Sequence, residues 1–279
     1  MGLKTIAIRF FAVSMCVVGI ILMTLNLYGV TQSIRYEGLG KEGREMLRFV
    51  PEEVWSYEDS MKNKSDWMNS GTEIEKVIGA TKWAHKSLVH VSWDRVSPKD
   101  YRQLIPIWDN YFLHFIGRFS DLPQFERYHF SDYKRTVARG IGLCGDYSIV
   151  LSQALSEVGI KTDIVSYPGH VVVYYYSENG DIYYLDPDFG VVTKLEGQDF
   201  EEYREILEKE YLSNHSESEV EYLMNILSYQ PVFFKDTYDF MAKRYIFERF
   251  SYFAKWLFPL LFLFVGLCIL VIGRRVDNR

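Results

Sequence analysis

Residues 139–190 read RGIGLCGDYSIVLSQALSEVGIKTDIVSYPGHVVVYYYSENGDIYYLDPDFG. From Cys144 onward, Tyr147, Val150, Leu151, Ala154, Leu155 and Val158 recur at helical spacing. That periodicity predicts a helix from Cys144 to Val158 with one face in a core. Gly159 is its stop signal. Thr162–Tyr167 and Gly169–Tyr176 are rich in Val, Ile and Tyr and read as strands. Glu178-Asn179-Gly180 is a turn, and Asp181–Asp186 is the returning strand. A helix followed by an antiparallel hairpin predicts an α+β fold.

Working outward, Thr72–His90 has apolar residues near helical spacing and reads as a helix. Pro98–Phe119 reads as a second, aromatic-rich helix, followed by a loop around Asp121-Leu122-Pro123. Ser131 can cap a short helix to Arg139, which Gly140 and Gly142 end. The segment 196–250 is mostly helical with charged faces.

The two ends have a different character. Residues Phe10 to Val30 contain no charge, with Lys4 and Arg9 just before them. Trp256 to Gly273 is a second uncharged run, followed by Arg274 and Arg275. Runs near 20 residues span a hydrocarbon core of about 30 Å as helices. The first run is longer than the core of a signal peptide and no small-residue cleavage site follows it, so an uncleaved anchor is expected. The predicted organisation is therefore a tail at 1–9, a span at 10–30, a domain at 31–255, a span at 256–273 and a tail at 274–279.

Five of the 31 Lys and Arg but only one of the 37 Asp and Glu lie in these two ends, so the segment 31–255 has a net charge of −10. Basic ends and an acidic middle predict cytoplasmic termini and an exported domain of an integral plasma or inner membrane protein. Arg35, Lys41, Arg249 and Lys255, near the exported edges, run against that pattern. The stretch 243–255 mixes aromatics and bases; an interfacial helix and a last core helix both fit it. The acidic balance argues against a nucleic-acid partner.

The cysteines sort by place. Cys16 and Cys268 lie within the two spans, which leaves Cys144 as the one thiol of the exported domain. It opens the buried helix, His170 begins a strand and Asp186 ends the next. Each type suits one catalytic role. A thiol must ionise to attack a carbonyl, and the partial positive charge at a helix N-terminus favours the thiolate. An imidazole can take the thiol proton and later protonate a leaving amine. A carboxylate orients the imidazole and fixes its tautomer. Gly142 and Gly145 leave room for a substrate, and the Cys144 N–H is a candidate oxyanion donor.

Register tests the acid. A two-residue loop at Asn179-Gly180 would place Asp186 on the face opposite His170. A three-residue loop, 178–180, would pair Val172 with Asp186 and His170 with Asp188, so that both acids share the face of His170. The expected turn therefore has three residues, with Gly180 left-handed as a bulge. Asp186 is the preferred orienter, since Pro187 fixes it, and Asp188 is the alternative.

The pattern G-x-C-G-D-Y-S, G-H-V-x-V and L-D-P resembles the transglutaminase-like superfamily. The resemblance covers roughly 72–190 and is sharp across 139–190. It implies a papain-like α+β core with a Cys144, His170, Asp186 triad, acting on an amide of a peptide or protein substrate through an acyl-thioester. Neither transfer nor hydrolysis is favoured. No calcium-binding acidic loop is visible, so no cofactor is expected. The upstream oxyanion-hole side chain has three candidates, Gln124, Tyr128 and Tyr133. A catalytically silent domain serving as a binding or assembly module at the membrane surface is the alternative. A zinc site is disfavoured, because no close-spaced ligand pair is present. His85, His90 and His114 are expected to be structural, and His129 and His215 to lie at the surface. Asn63-Lys64-Ser65 and Asn214-His215-Ser216 match the glycosylation pattern, which is of weak specificity.

Overall fold

A computed structural model describes residues 3–40, 47–49, 54–69, 71–91, 95–196, 200–213 and 215–277. Lys41, Asn214 and Arg279 lie outside them. In chain order the elements are α1 (Leu3–Val30), β1 (Leu47–Phe49), α2 (Tyr57–Met68), α3 (Glu73–Ser87), β2 (Val89–Val91), a 3-10 turn (Asp100–Arg102), α4 (Tyr111–Phe119), α5 (Pro123–Glu126), α6 (Tyr133–Arg139) and β3 (Ile141–Gly142). There follow α7 (Cys144–Ser156), β4 (Thr162–Tyr167), β5 (His170–Tyr176), β6 (Ile182–Asp186), β7 (Val191–Leu195), α8 (Phe200–Leu212), α9 (Glu217–Leu227), β8 (Val232–Phe234), α10 (Thr237–Met241) and α11 (Lys243–Asp277). The chain is a mixed α+β protein.

It divides into two compact units. One comprises Met1–Ile34, Gln103–Tyr128 and Phe247–Arg279, the other Arg35–Arg102 and His129–Ile246. The segment 103–128, which sequence places inside one exported domain, thus groups with the two long helices.

Thr5–Val30 in the first unit and Lys243–Arg275, which enters it at Phe247, are long and apolar enough to cross a membrane. Glycines bring these helices close. A Cβ on Gly19 would fall 2.9 Å from the Leu263 side chain and the Pro259 carbonyl. One on Gly266 would fall 2.5 Å from Cys16 Sγ. Small residues of this kind let helix backbones approach where lipid offers no hydrophobic drive. Asn26 Nδ2 adds a buried hydrogen bond to the Lys255 carbonyl at 2.6 Å. The stretch 243–255 belongs to the same continuous helix as the second apolar run, and Glu248, Ser251 and Ala254 on it are buried. Pro98–Phe119 is not one helix. Pro106 lacks an N–H and bars the helical region to its predecessor, so α4 starts only at Tyr111, where Asn110 caps it by accepting from Phe112 and Leu113.

In the second unit, β7-β6-β5-β4-β8 form an antiparallel sheet. One face packs on α7, where Tyr147, Val150, Leu151, Ala154 and Leu155 meet Val173, Tyr175 and Leu185, backed by Trp67 and Trp83. The other face lies under α8 and α9, through Leu207, Tyr211, Val220 and Leu223. Burial on both faces explains why VVVYYY shows no polar alternation. The segment 196–250 is therefore not merely helical: it supplies this second layer and the edge strand β8.

A small sheet, β1-β2-β3, ends on the strand that leads into α7. Its β2 uses residues that periodicity assigns to the preceding helix; α3 ends at Ser87 and Leu88 is extended. The cap of α6 is Asp132, which accepts from Lys134 N, and not Ser131. Gly140, left-handed at φ 80°, ends that helix as expected.

At the far end of α7, Glu157 meets Lys64 and, at 3.0 Å, Lys134. Burial raises the Glu157 pKa, but hydrogen bonds from Lys64, Tyr133 and Lys134 outweigh it and bring it from 4.5 to about 2. A folded pKa below the unfolded one stabilises the protein above the unfolded value, and that stabilisation is lost as pH falls through the folded one. Thermal unfolding of the detergent-solubilised chain between pH about 5 and about 2 is thus expected to be less acid-sensitive in Glu157→Gln than in wild type. Parallel pH profiles would show that the cluster contributes nothing.

Candidate active site

Cys144 is the first residue of α7, following the N-cap Leu143. Its backbone N–H therefore has no acceptor within the helix. Asp146 builds this helix start. Its Oδ2 accepts from Leu143 N at 2.8 Å and from His129 Nδ1 at 2.7 Å. Burial pushes the Asp146 carboxyl up, but His129, then Arg139 and the Leu143 amide, outweigh it and hold it below the usual range. The returning carboxylate fixes the reason for Gly142: a Cβ there would lie 2.7 Å from Asp146 Cβ. Gly142 makes room for the cap rather than for a substrate. His129, expected at the surface, is half-buried against this cap.

The hairpin delivers the other two groups. The β5–β6 register runs from Val173↔Leu185 to Tyr176↔Ile182. Ser177 N donates to Asp181 O at 2.9 Å and Gly180 N to Ser177 O at 2.9 Å, with Gly180 at φ 84°. This is the three-residue turn expected from sequence, with the left-handed glycine where the register requires it. Asp186 consequently lies on the face of His170, and His170 Nε2 donates to its Oδ2 at 2.6 Å.

Among the described residues, four donors converge on Asp186. Besides His170, the Tyr211 hydroxyl donates to Oδ2, and the N–H groups of Asp188 and Phe189 donate to Oδ1 at 3.0 and 3.2 Å. Burial alone would raise this carboxyl. The His170 charge and hydrogen bond, then Tyr211 and the Phe189 amide, hold it below its ordinary value. For His170 burial opposes protonation, but Asp186 and then Cys144 carry its pKa well above that of free imidazole. With Nε2 committed to Asp186, Nδ1 is the ring nitrogen left for the thiol. Cys144 is partly exposed, while His170 is only 4 % exposed and Asp186 fully buried.

Asp188 is placed close by but does a different job from the one considered for it. Its carboxylate binds His90 Nδ1 at 2.8 and 2.9 Å. Its carbonyl meets His85 Nδ1 at 3.1 Å. Among the described residues, Cys144, His170 and Asp188 each offer a ligand atom within 4.8 Å of the others. His90 reaches this place because β2 pairs with β3, setting His90 opposite Gly142. Tyr211 reaches it from α8. Sequence reading missed both roles, because neither residue has a spacing that ties it to the hairpin. His215 is also half-buried, its ring 4.7 Å from that of Phe189.

Of the oxyanion candidates, Tyr133 is occupied by Lys64 and Tyr128 by Glu248. Gln124 is exposed on α5, within the unit that contains the long helices. The chain matches no protein-family model, and no curated protein is significantly similar to it.

Proposed function

We propose that this chain is a membrane-anchored, transglutaminase-like thiol enzyme, its main domain outside the membrane and its termini in the cytoplasm. It cleaves or exchanges an amide of a peptide or protein through an acyl-thioester on Cys144. The observation that carries this reading is the convergence of His170 on Asp186, with the Cys144 thiol within 4.8 Å of the same ring. His170 Nδ1 accepts the thiol proton, and sulfur attacks the amide carbonyl. The same imidazole then gives that proton to the departing amine. Water or a second amine, deprotonated by His170, resolves the thioester. The Cys144 N–H is placed to donate to the oxyanion.

The test is substrate-independent at first. In the solubilised full chain, iodoacetamide is expected to alkylate Cys144 faster than in His170→Ala, and extracytoplasmic peptides and wall material should change in Cys144→Ser cells. Equal alkylation rates together with unchanged material would sink the reading.

One observation favours the silent-module alternative. Phe240 of α10 stands over Gly145, its ring 3.6 Å from where a Cβ would be, next to the nucleophile. If Phe240 only covers an active centre, Phe240→Ala is expected to raise Cys144 alkylation several-fold while His170→Ala still lowers it. If neither substitution changes the rate, the module reading stands.

A further inference from the structure

We infer that the same cluster is a zinc site, and that Zn²⁺ binding to Cys144, His170 and Asp188 reversibly silences the thiol. A thiolate, an imidazole and a carboxylate form a donor set that zinc accepts. Their ligand atoms, one from each residue, already lie within 4.8 Å of one another. Tetrahedral zinc bond lengths set donors about 3.4 Å apart, so side-chain rotation has to close the widest separation by up to about 1.4 Å.

The surroundings raise this above a chance meeting of three polar groups. A metal-bound histidine almost always donates its other N–H to a carboxylate, a backbone carbonyl or water, and ligating carboxylates are themselves hydrogen-bonded. His170 already donates Nε2–H to Asp186 at 2.6 Å, leaving Nδ1 for the ion. The Asp188 carboxylate is held by His90 at 2.8 Å, and its backbone is fixed by Asp186 and His85. Both ligands thus have their outer partners in place before any ion arrives. A fourth position remains for water. Asp188 has no step in the acyl-transfer sequence.

The proton balance is simple. The Cys144–His170 pair carries one proton, on sulfur or on Nδ1. Zn²⁺ needs both atoms, so that proton leaves to solvent, and affinity falls as pH falls. No redox step is involved. The silencing rests on the thiol-enzyme reading above; the binding does not.

The experiment uses the full-length solubilised chain without a polyhistidine tag. Titration with Co²⁺ is expected to produce a thiolate-to-cobalt charge-transfer band with tetrahedral d–d bands, displaced by Zn²⁺ and missing in Cys144→Ser. His90→Gln is expected to weaken binding about 10–100-fold. In the wild type, needing no variant, equimolar Zn²⁺ should block iodoacetamide alkylation of Cys144, and EDTA should restore it. Absence of the band, its persistence in Cys144→Ser, or alkylation indifferent to Zn²⁺ would overturn the site. A cobalt band, combined with EDTA-treated chains that alkylate equally with and without His170 and with unchanged extracytoplasmic material in Cys144→Ser cells, would leave the metal site standing and overturn the enzyme reading instead.

Discussion

On the proposed thiol-enzyme reading, the Asp186→Asn protein is expected to lose about 10²–10⁴-fold in amide cleavage or transfer, with Cys144 alkylation slowed at neutral pH. The reason lies in the donor count. Asp186 accepts from His170, Tyr211 and two backbone amides, so all its acceptor capacity faces donors. Asparagine has one acceptor oxygen and an NH₂ group. The backbone amides cannot move away, so the oxygen stays with them and the NH₂ turns to His170. Nε2 must then accept, which puts the ring proton on Nδ1, facing the thiol. An imidazole in that tautomer cannot take the proton of Cys144. Alkylation rate against pH, measured on the solubilised chain with thermal unfolding as a control, checks this. An Asp186→Asn profile superimposable on that of the wild type would show that Asp186 does not set the tautomer.

Asp146→Ala is expected to cost about 3–5 kcal/mol of stability, a large share of the 5–15 kcal/mol typical of a folded protein. The alanine removes the acceptor of the Leu143 amide at the start of α7 and a counter-charge of His129 and Arg139. Arg139 is fully buried, its guanidinium 4.6 Å from the Phe130 ring centre, so water cannot replace the lost charge. For a unit of this size the midpoint should fall by about 6–20 °C, read from tryptophan fluorescence. Asp146→Asn keeps an acceptor for the cap but loses the charge, and should fall between the two. A loss below about 1 kcal/mol in Asp146→Ala would mean that the helix start is held by other contacts.

The limits of sequence reading follow from particular residues. The hairpin was legible because side-chain alternation in strands has a fixed period, so one choice of turn length decided whether Asp186 could meet His170. The helix beginning at Cys144 was legible because its apolar residues repeat at helical spacing and Gly159 ends it. Pro98–Phe119 reads as one helix by its aromatic content, but Pro106, whose missing donor prevents a continuous helix, delays α4 to Tyr111. Strand β2 was absorbed into the preceding helix because a three-residue strand has no period of its own. The segment 196–250 showed charged faces but not the strand β8, nor that Tyr211 turns inward.

Sequence by itself thus determined the two apolar helices, the buried helix headed by Cys144, and the hairpin that puts His170 and Asp186 on one face. All of these are local, set by periodicity, charge and turn chemistry over a few dozen residues. Tertiary structure alone decided that Asp188 pairs with His90, that Tyr211 anchors Asp186, that Gly142 yields to Asp146 and that Phe240 covers Gly145. Those contacts join elements distant in the chain, and which distant surfaces meet depends on how the layers pack around the sheet, which no local pattern encodes.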